Sequence, residues 1–225
     1  MILQEIIGIW SLQSSNLNFN TLPKLQIEIF NNLANLEWIS RFYLAGGTAI
    51  ALRLGHRKSY DFDFFTNESI HELDILHELS NLGKVKIITQ TDNIIHCFLD
   101  DFEVSFFKVK YPLLFETENF IHLKIASLTD LLLMKLQAIS GRGTRKDFVD
   151  LYYLLKIYEL GDISHLYEQK YGIKFQSDVH LHKALVYFVD AEKRAMPQLF
   201  DNTKWDDIKK EIIYKVVNIN NFYRE

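Results

Sequence analysis

Residues 44–65, LAGGTAIALRLGHRKSYDFDFF, decide how this chain is read. Residues 41–45 are a short apolar strand candidate that ends at Gly46-Gly47. Residues 48–54 read as a short helix closed by Gly55. Residues 60–65 alternate polar and aromatic side chains, the pattern of a half-buried strand. Asp61 and Asp63 then share one face of that strand, while Tyr60, Phe62 and Phe64 go to the other, into a core. Neighbouring carboxylates repel unless something neutralises them. A divalent cation does so, and hard oxygen donors with a partly open shell suit Mg²⁺ or Mn²⁺ carrying substrate phosphates. The paired glycines allow backbone to approach a ligand closely. The helix that follows aims its first N–H groups at the same place, which favours a phosphate. Thr48 adds a hydroxyl, and Arg57, Lys58 and Ser59 add charge and donors just before the Asp pair. A lone Gly-Gly is ordinarily a turn, and a lone Asp-x-Asp ordinarily a solvated edge. Together and in this order they predict phosphoryl or nucleotidyl transfer, the chemistry served being attack of a hydroxyl on the α-phosphate of a nucleotide while metal ions organise the attacking oxygen and the leaving pyrophosphate.

On either side of this stretch the chain divides. Residues 1–40 read as mostly helical, with an entry at Thr21-Leu-Pro-Lys24. Ser69-Ile-His-Glu72 reads as a capping box opening a helix through Leu82. Strand-like runs follow at residues 85–89, 93–99 and 102–110, with Asp100-Asp101 as a tight hairpin, and one more at 121–126. From Ser127 the pattern is helical, over residues 127–139, 146–158, 163–171, 179–194 and 205–217. The expected fold is α+β: a mixed sheet with flanking helices over residues 1–126, then a helical lobe over 127–225.

Composition narrows the classes of function. With 48% hydrophobic and 24% charged residues the 225-residue chain is globular in type. Its net charge of −4, from 25 Lys+Arg against 29 Asp+Glu, excludes a protein that coats nucleic acid by overall basicity. A single cysteine, Cys97, excludes an intrachain disulfide framework and a Cys-rich zinc site, and fits a reducing cytoplasm. The longest apolar run, residues 184–189, is far too short to span a membrane, and the first residues carry Glu5 and no basic region, unlike a signal peptide. The expectation is a cytoplasmic protein without a membrane partner. The mild total also conceals sorting. Residues 61–83 hold six acidic side chains and no Lys or Arg, whereas residues 124–146 hold five basic side chains and one acidic.

The string from Gly46-Gly-Thr48 to Asp61-Phe-Asp63 resembles motif I of the polymerase-β-type nucleotidyltransferases, and more closely that of their AbiEii/AbiGii toxin family. The likeness continues through Leu132-Leu-Met-Lys135-Leu-Gln-Ala138 and Gly141-Arg-Gly-Thr-Arg-Lys-Asp147-Phe-Val-Asp150-Leu. It reaches more weakly to Ala191-Glu192, Pro197 and Trp205. The resemblance implies a polymerase-β-like core in which Asp61 and Asp63 bind the catalytic metals and Gly46, Gly47, Thr48 and Ser59 cradle the triphosphate. It implies that Lys135 reaches the nucleotide phosphates and that Asp147 completes the site. It further implies NTP as substrate, an acceptor that is RNA (tRNA among them) or protein, and a cognate antitoxin as partner. Arg57 belongs with the phosphate contacts, as do Arg142, Arg145 and Lys146, although composition alone favours a solvated loop for Arg145. Without the family, Lys135 reads equally well as a snorkelling surface lysine. Asp150 either holds the helix or pairs with Arg142 or Lys146.

One departure stands out. Such enzymes usually carry a third carboxylate on a later strand. In residues 102–107, FEVSFF, Glu103 and Ser105 share a face, and Ser105 stands where many relatives place Asp. Either Glu103 substitutes as a metal ligand, or the third ligand is missing and Asp147 helps. Two other readings remain open from sequence. One is a nucleotidyltransferase acting on small molecules, as antibiotic-modifying enzymes do; the other is a degenerate fold serving as an interaction module. Phe106, Phe107, Tyr152 and Tyr153 read as core residues, and His180-x-His182 as surface.

Overall fold

The computed structural model describes residues 17–219, so the expected helical character of residues 1–16 lies outside the described residues. The chain forms two compact units. The first takes in the chain as far as Gly55, then Ser59–Lys108 and Thr117–Ile125; the second takes in His56–Lys58, Val109–Glu116 and everything from Ala126 onward.

The first unit is built on a seven-stranded sheet. Its strands are β1 (Tyr43–Ala45), β2 (Asp61–Thr66), β3 (Val85–Thr91), β4 (Ile94–Leu99), β5 (Phe102–Lys108), β6 (Glu118–Phe120) and β7 (Leu123–Ile125), in the order β3-β4-β5-β2-β1-β7-β6. The pairs β1–β7 and β2–β5 are parallel and the other neighbours antiparallel, so the sheet is mixed. Its helices are α1 (Lys24–Ala34), α2 (Gly46–Leu54) and α3 (Glu72–Ser80). Burial alternates along β2 and β4, as period two requires of a sheet with one face in a core. Phe62, Phe64, Val104, Phe106, Ile95, Cys97 and Leu44 are all 1% exposed or less, and Phe106 stacks on Phe64 with ring centroids 5.1 Å apart.

Local corrections have local causes. Tyr60 precedes β2 and is 54% exposed, so it does not join the buried aromatic face. The Ser69–Glu72 capping box does not form: His71 is the N-cap of α3 and makes no side-chain cap bond. The Asp100-Asp101 hairpin does form. Leu99 pairs with Phe102, and Asp100 takes φ +52°, the left-handed conformation that two-residue hairpins need. An unexpected second hairpin turns at Ile121-His122 between β6 and β7.

The second unit is helical: α4 (Leu128–Gly141), α5 (Arg145–Leu154), α6 (Leu160–Tyr171), α7 (Val179–Leu185), α8 (Val189–Glu192) and α9 (Trp205–Asn218). The single helix expected over residues 179–194 is two, broken at 186–188. Ser127 caps α4 by accepting the Asp130 N–H at 3.0 Å. Asp130, fully buried, also accepts the Leu114 and Phe115 N–H groups at 3.0 Å each and pairs with Lys170 at 2.7 Å. Lys170 donates to the Pro112 carbonyl as well, so this one ion pair pins the 109–116 segment to α4 and α6. Among the described residues no helix is long and apolar enough to cross a membrane.

Candidate active site

β1 ends at Ala45 and the chain enters α2 directly at Gly46, whose φ is +69°. A Cβ built on Gly46 would stand 2.5 Å from Asp63 Oδ2. Glycine is therefore required here twice over, by backbone conformation and by the carboxylate beside it. Gly47 and Thr48 complete the first turn of α2. The Thr48 hydroxyl lies 2.8 Å from Ser59 Oγ and also donates to the Asp61 carbonyl; Ser59 Oγ lies 3.4 Å from Asp61 Oδ1. Thr48 and Ser59 are buried, whereas Asp61 and Asp63 are half-buried on the same face of β2. Gly46→Ala is expected to lower the melting temperature by roughly 5 °C through strain of about 1–3 kcal/mol. It should also displace Asp63, so nucleotide binding measured in the presence of Mg²⁺ should fall further than stability does; calorimetric titration against thermal melting checks this.

The register places the two candidates for the third carboxylate. Parallel pairing sets Glu103 opposite Asp61 and Ser105 opposite Asp63. Ser105 is buried, and Glu103 Oε1 lies 3.5 Å from His96 Nε2. Among the described residues no three His, Cys, Asp or Glu side chains gather as a metal-holding group. Two carboxylates on one strand face beside a helix N-terminus do fit an ion that keeps much of its shell for phosphate oxygens and water, which is how Mg²⁺ binds.

The second unit holds the other signature residues. Lys135 on α4 is 6% exposed, so it is no surface lysine. Its ammonium lies 2.9 Å from Asp147 Oδ1 and 3.0 Å from Asp150 Oδ2. Asp147 caps α5 from its first turn, accepting the Thr144 N–H at 3.0 Å and the Thr144 hydroxyl. Asp150, one turn on and fully buried, takes both prongs of Arg57, Nε at 2.7 Å and Nη2 at 2.9 Å, and lies 2.8 Å from His56 Nε2. Two cations thus face two carboxylates in a dry site. Burial by itself would pull Lys135 down, but the charges of Asp150 and Asp147 outweigh it and its pKa lies above the ordinary value. Burial would raise Asp147, yet Lys135 and the Thr144 hydrogen bonds hold it below the usual carboxylate range. Asp150 is held well below that range, because Arg57, Lys135 and the His56 hydrogen bond overcome its desolvation.

The basic residues are distributed differently from expectation. His56–Lys58 forms a bridge with the tail: Lys58 N–H donates to the Gln198 carbonyl and Phe200 N–H to that of His56. Arg57 is buried in the Asp150 cluster, a partner that sequence spacing gave no means to find. Arg145 is not in a solvated loop. It opens α5, donates to the Ala191 and Glu192 carbonyls at 3.1 and 2.9 Å, and lies 4.9 Å over the Trp205 ring. The second signature is thereby tied to Ala191, Glu192 and Trp205. Arg142 and Lys146 are exposed. Tyr152 and Tyr153 are half-buried, and the Tyr153 hydroxyl donates to Asp201 at 2.6 Å. His180 Nε2 lies 2.9 Å from the Ser140 carbonyl oxygen.

Residues 29–94 and 102–218 match the family model described as nucleotidyl transferase AbiEii toxin, type IV toxin–antitoxin system. The chain belongs to the AbiEii nucleotidyltransferase toxin family. An Aquifex aeolicus (strain VF5) protein, itself uncharacterized, is 35% identical over 202 residues, covering 87% of this chain and 96% of its own. The fold is similar to a solved H. pylori chain assigned as a nucleotidyltransferase (TM-score 0.53, 16% identity, 89% and 96% of the two chains). It is also similar to MenT4, a nucleotidyltransferase toxin of Mycobacterium tuberculosis H37Rv (TM-score 0.55, 14% identity, 86% and 82%). This AbiEii-family chain is thus a nucleotidyltransferase with an α+β core.

Proposed function

We propose that the chain moves a nucleoside monophosphate from an NTP to a hydroxyl of RNA, tRNA being the leading acceptor, or of protein, as a cytoplasmic toxin held in check by a cognate antitoxin. The observation that carries this reading is the pairing of Asp61 and Asp63 on one strand face with a Gly46 turn that admits the Asp63 carboxylate beside the start of α2. The acceptor oxygen bonds to the α-phosphorus, the bond from that phosphorus to the β-bridging oxygen breaks, pyrophosphate leaves, and the acceptor hydroxyl gives up its proton. In this reading Asp61 and Asp63 hold Mg²⁺ or Mn²⁺, which when bound neutralises charge on the phosphates. Gly46, Gly47, Thr48 and Ser59 receive the triphosphate. Lys135 and Asp147 keep the catalytic roles that the family resemblance assigns them. Arg57 and Asp150 are positioning residues, since each spends its charge inside the cluster that holds Lys135.

The toxin assignment draws support from the family description and from MenT4. One observation favours a second reading, that of a non-catalytic module: Ser105, not a carboxylate, stands opposite Asp63. Incubation with Mg²⁺ and each labelled NTP, in the presence of total tRNA, cell protein or small hydroxylated compounds, tests both. Label is expected in the RNA or protein fraction. Label only in small molecules would overturn the acceptor class, and a calorimetric trace without Mg²⁺-dependent NTP binding would favour the module.

A further inference from the structure

The face of the sheet that carries Asp61 and Asp63 is organised in rows. One row, running across β5, β2 and β1, is Ser105, Asp63 and Ala45. Two residues along the strands lies the next: Phe107, Phe65 and Tyr43, in register, with Lys124 of β7 beside Tyr43. The three rings are half-buried and form a ladder. Phe65 and Phe107 stack with centroids 5.1 Å apart and planes 28° from parallel; Tyr43 and Phe65 stack at 5.8 Å and 22°. Lys124 is exposed at the Tyr43 end. The register also sets direction. Gly46, Thr48 and Ser59 lie toward the Asp61 end of β2, so the Asp pair stands between the phosphate cradle and the aromatic row.

Buried on both sides, such rings would be ordinary packing. Here they share a face with charged and polar residues and stay half-buried. Inside the row the rings cover one another, so a further ring joins at its end, and Tyr43 is the end beside Lys124. We infer that Tyr43, Phe65 and Phe107 form a stacking subsite for the terminal base of a single-stranded RNA acceptor, with Lys124 beside its phosphate. This rests on the nucleotidyl-transfer reading above and adds to it which end of the site the acceptor enters. Displacement at phosphorus runs in line, so the attacking hydroxyl comes from the side opposite the leaving pyrophosphate. With pyrophosphate toward the cradle, that side is the aromatic row. Two residues of strand span about 7 Å, comparable with the reach from a ribose hydroxyl to the base of the same nucleoside. Bases stack on such rings without regard to sequence, because every base has a π face. A base extending the ladder at its Tyr43 end brings its backbone phosphate toward Lys124, where the charges are complementary.

The test needs no catalysis. A 5′-labelled single-stranded RNA and the same RNA with an abasic 3′ nucleotide, both hydroxyls retained, are titrated by fluorescence anisotropy without NTP or metal. Wild type is expected to bind the complete RNA about tenfold more tightly than the abasic one. Tyr43→Leu and Phe65→Leu should bring that ratio close to one, Tyr43→Phe should preserve it, and Lys124→Ala should weaken both RNAs alike. If Phe65→Leu fails to fold, Tyr43→Leu at the end of the row carries the same expectation. Equal binding of both RNAs by wild type overturns the subsite, as does a ratio unchanged in folded leucine variants. A ring substitution that raises KM for NTP and leaves the RNA ratio intact overturns it too. Loss of transfer in an Asp63→Asn protein alongside equal RNA binding sinks the subsite alone; an intact ratio in a protein that transfers nothing sinks the nucleotidyl-transfer reading alone.

Discussion

Asp63→Asn is expected to cut nucleotide transfer by about 1000-fold or more, with the melting temperature nearly unchanged. The substitution keeps the shape of the side chain and removes its charge. Stabilising the charge of a transferring phosphoryl group through a metal is worth several kcal/mol, and each 1.36 kcal/mol is a factor of ten. About 4 kcal/mol lost therefore gives the factor quoted. Stability is spared because Asp63 is half-buried on the carboxylate face of β2, away from the Phe62–Phe64 side that packs. An amide there even relieves repulsion with Asp61 when no metal is present. Single-turnover transfer of labelled NMP and a thermal melt on the same preparation measure the two halves. Transfer within tenfold of wild type would remove Asp63 from the reaction.

Glu103→Gln makes the contrast. Glu103 lies opposite Asp61 in register, but its carboxylate faces His96, and Asp61, Asp63 and Glu103 do not gather into one metal-holding group. Its loss is expected to cost less than about tenfold, the scale of one exposed charge near a reacting centre. A loss comparable with that of Asp63→Asn would make Glu103 the third ligand.

Much of the fold could be read from the chain because period-two alternation is local. In residues 61–64 each side chain declares its face, and the burial pattern of β2 follows it. Phe65 and Thr66 keep the period of two but not the polarity, Phe65 half-buried and Thr66 buried. Strand neighbours were not readable. Nothing in residues 102–108 names β2 as the parallel partner, since that choice depends on which apolar faces the whole unit can bury together. Ser69 shows the limit of a motif. Its residue types suit a capping box, but the chain starts α3 three residues later, and Lys108 Nζ lies 3.4 Å from the Ser69 hydroxyl. Within the candidate site, Gly46, Thr48, Ser59 and the Asp pair lie close in sequence, so spacing was informative. Arg57 and Asp150 are 93 residues apart, and an arginine two residues from a serine in a phosphate-type motif gives no sign that its charge is spent on a distant helix. Arg145 misled for the same reason: its partners, the Ala191 and Glu192 carbonyls, are backbone atoms that no residue type advertises.

That distant pairing sets the largest expected effect on stability. Asp150→Asn should lower the melting temperature by roughly 10 °C. The carboxylate is fully buried and receives Arg57 bidentately, Lys135 at 3.0 Å and His56 at 2.8 Å. An amide leaves Lys135 with Asp147 alone and removes the carboxylate charge that Arg57 faces. Removing one partner of a buried ion pair costs about 3–5 kcal/mol, and about 1 kcal/mol moves the transition of a chain this size by roughly 2–4 °C. The pH dependence follows from the directions of the shifts. Asp147 and Asp150 have folded pKa values below their unfolded ones, so their contribution is complete above about pH 4 and is lost as pH falls through the folded values. Lys135 is raised, so its contribution is complete below about pH 10 and is lost as pH rises through its folded value. The gap between wild type and Asp150→Asn should therefore be flat from about pH 5 to pH 10 and close in stronger acid, where protonated Asp150 comes to resemble Asn. Combining Asp150→Asn with Arg57→Met should cost less than the sum of the two single changes, because the second removes a cation that the first left unpaired. Additive losses, or a gap that persists undiminished at pH 2, would mean that Asp150 holds the unit by its packing and not by its charge.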